Sequence, residues 1–332
     1  MKKLMLKTIL SILTVIIISL VILSGVLYFS PKPLFFLTKL LPAEANLAKP
    51  INYQLIEKKT VVERNVIYSY DFKNSLLDIY SPKKFTGNLP VILFIHGGGF
   101  FKGDKEMAKY FGPTLSDEKY IFVSLNYDLI PDVTIFDQLN QINKAIQFIK
   151  GNAEKYSIDI NKVNLAGSSA GGFLALQLLS AYNNYDYAKC LELKTVKDIK
   201  FNSILLYSAV YDLSGYQCYQ GKFYINYLLN KMGWGMTGNK DWKNDKDLGR
   251  ILNLNKYISK SFPPLFITDG NTHTFTEQAN NYIEQLKIQS IDVKTLFFDS
   301  NQKVEHGYQL NMGSTYSKES IKYSLEFLRN SN

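Results

Sequence analysis

The sequence predicts a three-layer α/β sandwich on a mostly parallel, eight-stranded sheet, with a small insertion over the sheet and one membrane helix ahead of it. Three observations lead there. Short apolar runs recur at residues 91–95, 121–125, 163–166, 204–207, 265–268 and 293–298, the pattern of strands covered on both faces. Stretches of helical period lie between several of them, and alternation of strand and helix implies parallel crossovers. Residues 8–29 carry no charge and are mostly Leu, Ile and Val.

The apolar segment comes first. At about 1.5 Å per residue it is long enough to cross a hydrocarbon core of about 30 Å. Lys2, Lys3 and Lys7 precede it, and the positive-inside tendency puts them in the cytoplasm and everything after Ser30 outside. A cleaved signal peptide, giving a secreted protein, is the rival. It calls for a shorter apolar region and a small-residue cleavage site, whereas this one ends in Val26, Leu27, Tyr28 and Phe29. The expectation is an uncleaved single-pass anchor at residues 1–30. Residues 31–58, with an apolar patch at 34–37, are expected to be a tether.

Residues 59–332 are expected to form one catalytic domain. The chain has 332 residues, 46% hydrophobic and 14% aromatic, enough for one large core. Residues 61–70 and 76–80 read as an antiparallel strand pair. Ile135, Leu139, Ile142, Ile146 and Ile149 make one helical stripe; Phe173, Leu174, Leu178 and Leu179 make a second, and Ile283, Leu286 and Ile288 a third. Residues 213–260, rich in Gly, Asn, Lys, Tyr and Trp, break the alternation and are expected to be a cap insertion over the sheet's carboxyl edge. The net charge of +9 is spread out, with no basic and aromatic alternation of the kind that grips nucleic acid. Cys190 and Cys218 are the only cysteines, too few for a disulfide framework or a zinc cluster, and are expected to be free buried thiols or a pair.

The chemistry is carried by three motifs. Gly167-Ser168-Ser169-Ala170-Gly171 fits GxSxG between a strand and a helix, where a strained turn lifts the serine hydroxyl above the sheet and its crowded neighbours must be glycine. The helix amino terminus beneath favours developing negative charge. Ser169 is therefore the candidate nucleophile. His96-Gly97-Gly98-Gly99 also follows a buried strand, and successive glycines let backbone N–H groups face a ligand. Gly97 and Gly98, with the N–H of Ala170, form the candidate oxyanion hole; His96 is expected to stabilise that loop. Of the three histidines, His306 in Glu305-His306-Gly307-Tyr308 follows the last strand and is the candidate base, by position and elimination.

Together the HGGG and GSSAGG segments, with Asn126-Tyr127-Asp128-Leu129-Ile130-Pro131 between them, resemble the hormone-sensitive-lipase-like branch of the α/β-hydrolases, which contains carboxylesterases and acetyl esterases. Asp137, Ser157-Ile158-Asp159 and the run from Tyr257 to Pro264 extend the similarity over roughly residues 76–328. The resemblance implies ester hydrolysis through an acyl-serine intermediate, without metal or organic cofactor. It also implies an acidic residue three positions after a glycine closing the seventh strand. If that glycine is Gly270, the position holds His273. Asp269, at the strand's end, becomes the candidate third member, with Glu277, Asp299 and Asp212 or no carboxylate as alternatives. Asp128 stands where relatives often carry arginine. The expected function is a serine carboxylesterase acting on short acyl (acetyl) esters outside the membrane, acetyl groups on envelope or environmental glycans among them; a serine peptidase of the same superfamily and a non-catalytic binding protein are the alternatives.

Overall fold

The apolar runs fall in strands of one sheet, the last of them running two residues past its strand. The computed structural model describes residues 2–39 and 47–331, so part of the expected tether lies outside the described residues. The strands are β1 (Thr60–Ile67), β2 (Leu76–Pro82), β3 (Leu89–Ile95), β4 (Ile121–Leu125), β5 (Ile158–Ser168), β6 (Phe201–Tyr207), β7 (Leu265–Thr268) and β8 (Val293–Leu296). Their order is β1-β2-β4-β3-β5-β6-β7-β8. The pairs β1–β2 and β2–β4 are antiparallel and all others are parallel. β5 begins earlier than the apolar run, because residues 158 and 159 pair with Leu89 and Pro90 before a bulge.

The helices are α1 (Lys2–Phe29), α2 (Lys32–Lys39), α3 (Tyr53–Lys59), α4 (Phe111–Asp117), α5 (Ile135–Gly151), α6 (Ala170–Asn183), α7 (Tyr185–Cys190), α8 (Phe223–Thr237), α9 (Lys246–Ile251), α10 (Thr276–Ile288) and α11 (Thr315–Ser331). Alternation along each strand divides the core between the two faces. Leu93, Ile95, Leu165, Leu206 and Ile267 pack with α5, α6 and α10, while Ile92, Phe94, Ala166, Leu205 and Phe266 pack with α4 and α11. α5 starts with a reciprocal capping box between Thr134 and Asp137, which satisfies two otherwise orphaned amides. Asp137 thus has a helix-starting role, and Asp128 accepts the N–H of Asn74, closing the β1–β2 connection.

Several expectations are corrected here. The described parts of the expected tether include two short helices, α2, which buries Phe35, and α3, which buries Ile56. Ile288 ends its stripe exposed, at the last residue of α10 where the helix has passed the core. Cys190 and Cys218 are free and both exposed, not buried. Between β6 and β7, residues 213–260 contain α8 and α9; Trp242 there is buried as a packing element, its Nε1–H donating to the Asn230 carbonyl.

α1 is long and apolar enough to cross a membrane. Within Lys3–Phe29 its most apolar window has a mean hydropathy of 2.8, and none of that window is buried in the protein.

Candidate active site

Every candidate residue sits at the carboxyl ends of parallel strands, where the loops of open α/β sheets gather. Ser169 lies between β5 and α6 at φ 53° and ψ −120°, a conformation that costs a non-glycine residue on the order of 1–3 kcal/mol. The surroundings enforce it. The Ser169 N–H donates to the Tyr207 carbonyl at 2.9 Å, and its carbonyl accepts from Gly172 and Phe173 in the first turn of α6. A side chain on Gly171 would run into the carbonyls of Ile95 and His96, and one on Gly167 into the Gly171 backbone. Glycine is needed at both for this close approach.

His306 comes from the loop after β8. Its Nε2 lies 2.9 Å from Ser169 Oγ, across 137 residues of sequence. Asn271 splints this loop to the one after β7: its N–H donates to the Val304 carbonyl at 2.8 Å, and its side chain accepts from the Val304 N–H at 3.0 Å. The Gly307 N–H donates to Ser208 Oγ at 3.2 Å, and the Phe275 ring stands edge-on to the imidazole at 5.4 Å.

On the far side of the imidazole, His306 Nδ1 lies 3.0 Å from Thr274 Oγ1, and that hydroxyl donates a short hydrogen bond to Asp269 Oδ1. Asp269 is buried. It also accepts the N–H of Gly270 at 2.8 Å and of Phe275 at 3.1 Å. Burial raises its pKa above the ordinary aspartate value, while hydrogen bonds from Thr274 and Ser208, the charge of His306 and the Gly270 N–H pull it back down. Of the alternatives, Asp212 accepts from Ser214, Glu277 lies in the first turn of α10, and Asp299 lies in the loop after β8, its backbone carbonyl accepting from the Asn271 side chain. His273 is an exposed residue whose Nδ1 faces Glu305 at 3.2 Å. Thr274 and Ser208 were not legible as site residues, since an isolated hydroxyl carries no spacing signal.

The glycine loop after β3 lies against the elbow. A side chain on Gly97 would place its Cβ 3.0 Å from Cβ of Ser169. Gly98 has φ 114° and accepts at its carbonyl from the N–H groups of Phe101 and Lys102, so the loop turns back immediately after passing the serine. Ala170 opens α6 directly after the nucleophile.

His96 anchors this loop. Fully buried, it stacks on Tyr127 at 4.3 Å, and its Nδ1 lies 2.7 Å from the Gly97 carbonyl. Desolvation draws its pKa down from 6.5 to about 4. In the unfolded chain the imidazole regains its ordinary pKa, so between those values the unfolded state binds more protons and stability rises with pH. The contribution is complete above pH 6.5 and is lost as pH falls toward 4, up to about 3 kcal/mol. Denaturant titrations at pH 7 and 4.5 are expected to show this loss, and His96→Phe is expected to show a smaller pH dependence. Equal pH dependence in both proteins would refute the assignment.

A family model described as BD-FAE matches residues 77–284. Over 114 residues the chain is 32% identical to the probable isoprenylcysteine alpha-carbonyl methylesterase ICMEL1 of Arabidopsis thaliana, covering 34% of this chain and 24% of that protein. It is 23% identical over 242 residues to esterase LipC of Mycobacterium tuberculosis, covering 72% of this chain and 58% of LipC. The chain thus matches less than two thirds of the length of these relatives. Among solved structures, esterase B of Lactobacillus rhamnosis superposes with a TM-score of 0.74 at 19% identity, over 86% of this chain and 88% of that one, and the same esterase inhibited by a tributyrin phosphonate superposes at 0.72 and 20% identity, over 86% and 87%. Because the family match spans more than half of the 332 residues and the sheet has the same architecture as these esterases, the chain belongs to the BD-FAE family and is an α/β-hydrolase.

Proposed function

We propose that the protein is a serine carboxylesterase that cleaves short acyl esters, acetyl esters among them, through an acyl-serine intermediate, on the outer side of a membrane that α1 spans. The observation carrying this is the 2.9 Å contact between Ser169 Oγ and His306 Nε2 at a strained strand-to-helix turn. Thr274 has one hydroxyl proton, and it goes to Asp269; its oxygen therefore accepts from His306 Nδ1–H, which leaves Nε2 free to accept the Ser169 proton. This tautomer is the one a general base needs.

In the first half-reaction Ser169 Oγ attacks the ester carbonyl carbon and its proton passes to Nε2. Negative charge on the carbonyl oxygen is held by the N–H groups of Gly97, Gly98 and Ala170, aided by the amino terminus of α6. Collapse breaks the bond to the alcohol, which leaves with the proton from Nε2. Water then attacks the acyl-serine, gives its proton to Nε2, and the acid departs as Oγ recovers that proton. No metal or organic cofactor takes part in this scheme.

Short acyl groups are supported by the modest size of the insertion at residues 213–260, whose α-helices are α8 and α9. The tributyrin phosphonate bound by esterase B is in keeping with this. Residues 213–260 serve as the cap, with α8 and α9 over the sheet's carboxyl edge. Kinetics on p-nitrophenyl esters from acetate to palmitate are expected to give the highest kcat/KM at two to four acyl carbons, roughly tenfold or more above long chains, since each methylene that does not fit a pocket costs about 1 kcal/mol or more. A preference for long chains would refute the short-acyl assignment, and absence of turnover on every ester would refute the function.

A further inference from the structure

The end of α1 does not stand clear of the rest of the protein; it is held by α8. Tyr227 Oη donates to the Leu27 carbonyl at 3.4 Å, and Lys231 Nζ donates to the carbonyl of Tyr28 at 3.0 Å and of Ser30 at 3.4 Å. Lys240 lies 4.0 Å over the Tyr28 ring. The contacts made by α8 itself advance in step with the chain: Tyr227 meets Leu27, and Lys231, one turn later, meets Tyr28 and Ser30. The turn before Tyr227 therefore extends toward the apolar stretch of α1, and it is there that Phe223 is 85% exposed and Tyr224 57%. Tyr227 and Leu228 continue the same exposed strip, and α2, which packs on α8, exposes Phe36 and Leu37.

In water, a strip of this kind leaves large rings uncovered for no gain. Its composition is that of a membrane boundary, where aromatic rings sit at headgroup level and lysines reach toward lipid phosphates. Lys222 lies 5.9 Å over the Tyr224 ring and Lys231 4.6 Å over that of Trp234, so cations border the rings. We infer that the outward face of α8, together with Phe36 and Leu37, is a docking surface for the lipid bilayer, continuous with the point where α1 leaves it. This rests on α1 spanning the membrane, as proposed above.

The surface connects to the catalytic loop. Phe35 on the inner side of α2 is buried; Gly235 of α8 fits against its ring, and the ring lies 5.5 Å from that of Phe101. Phe101 stands two residues after Gly99, the last glycine of the loop. Docking thus holds the oxyanion loop next to the leaflet, so that esters presented at the membrane surface reach Ser169.

The test uses the full chain in phosphatidylcholine and phosphatidylglycerol vesicles, with Cys190→Ser and Cys218→Ser removing the native thiols. Single cysteines are then placed by Ile17→Cys, Phe223→Cys or Ile288→Cys, each carrying an environment-sensitive nitrobenzoxadiazole label. All three positions are exposed, so folding is not at stake. The labels at 17 and 223 are expected to emit at shorter wavelength and to be quenched by spin-labelled lipid, while the label at 288 stays water-like. Quenching at 17 with a water-like label at 223 would overturn the docking surface and leave the anchor standing. A water-like label at 17 would remove the anchor and the docking surface with it.

Discussion

Ser169→Ala is expected to abolish labelling by a fluorophosphonate probe and to lower ester turnover on the order of 10⁶-fold, the scale on which loss of the nucleophile acts when base and nucleophile work as a unit. His306→Ala is expected to do the same, and the double variant to be no worse than either, because each alone dismantles the 2.9 Å contact between them. The residual rate comes from the oxyanion hole and binding. A gel-based probe assay on membranes containing the full chain reads the first outcome. Wild-type protein that does not label would favour a binding protein that has kept the fold, and a Ser169→Ala variant that labels would move the nucleophile elsewhere.

The second large effect concerns the orienting chain behind the imidazole. Asp269→Asn is expected to lower kcat by up to about 10⁴-fold, since an amide in place of the carboxylate permits the wrong tautomer of His306 and no longer balances the imidazolium. Thr274→Val retains the shape of the side chain but removes the hydroxyl that bridges the two. It is expected to cost roughly ten- to a hundredfold in kcat, the scale of a buried partner left unsatisfied, with KM little changed. Thr274→Ser, which restores the oxygen, should recover most of the rate. Rescue by serine distinguishes a positioning hydroxyl from a packing methyl. Valine and serine variants of equal activity would assign Thr274 to packing alone, and an unaffected Asp269→Asn would return the third position to Glu277, Asp299, Asp212 or no carboxylate.

The unusual feature of this arrangement is its indirectness. His273, three residues after Gly270, is exposed and faces Glu305, while Asp269, the carboxylate of the proposed triad, lies one residue before that glycine and is linked to His306 by the hydroxyl of Thr274. Asp269 is held by two backbone N–H groups as well as the hydroxyl; burial still leaves its pKa above the ordinary aspartate value, with the Thr274 hydroxyl and the Gly270 N–H among the groups that oppose the rise.

The sequence by itself determined the parts that obey local rules. Strand and helix periods follow from which side chains each element must bury, so the sheet and α5, α6 and α10 could be read directly, as could α1 from its unbroken apolar length. The elbow and the glycine loop were legible because a serine at φ 53°, and a passing loop on which a Cβ at residue 97 would come within 3.0 Å of the serine Cβ, tolerate few neighbours other than glycine. Only the tertiary structure decided which hydroxyl and carboxylate stand behind His306, because hydrogen bonds between loops after β7 and β8 leave no period or spacing in the chain. It decided likewise that Phe35 is buried while its neighbours Phe36 and Leu37 are exposed, and that α8 meets the end of α1 two hundred residues earlier. An apolar residue announces that it must be covered; what covers it is settled by elements distant in sequence, and no local rule records their meeting.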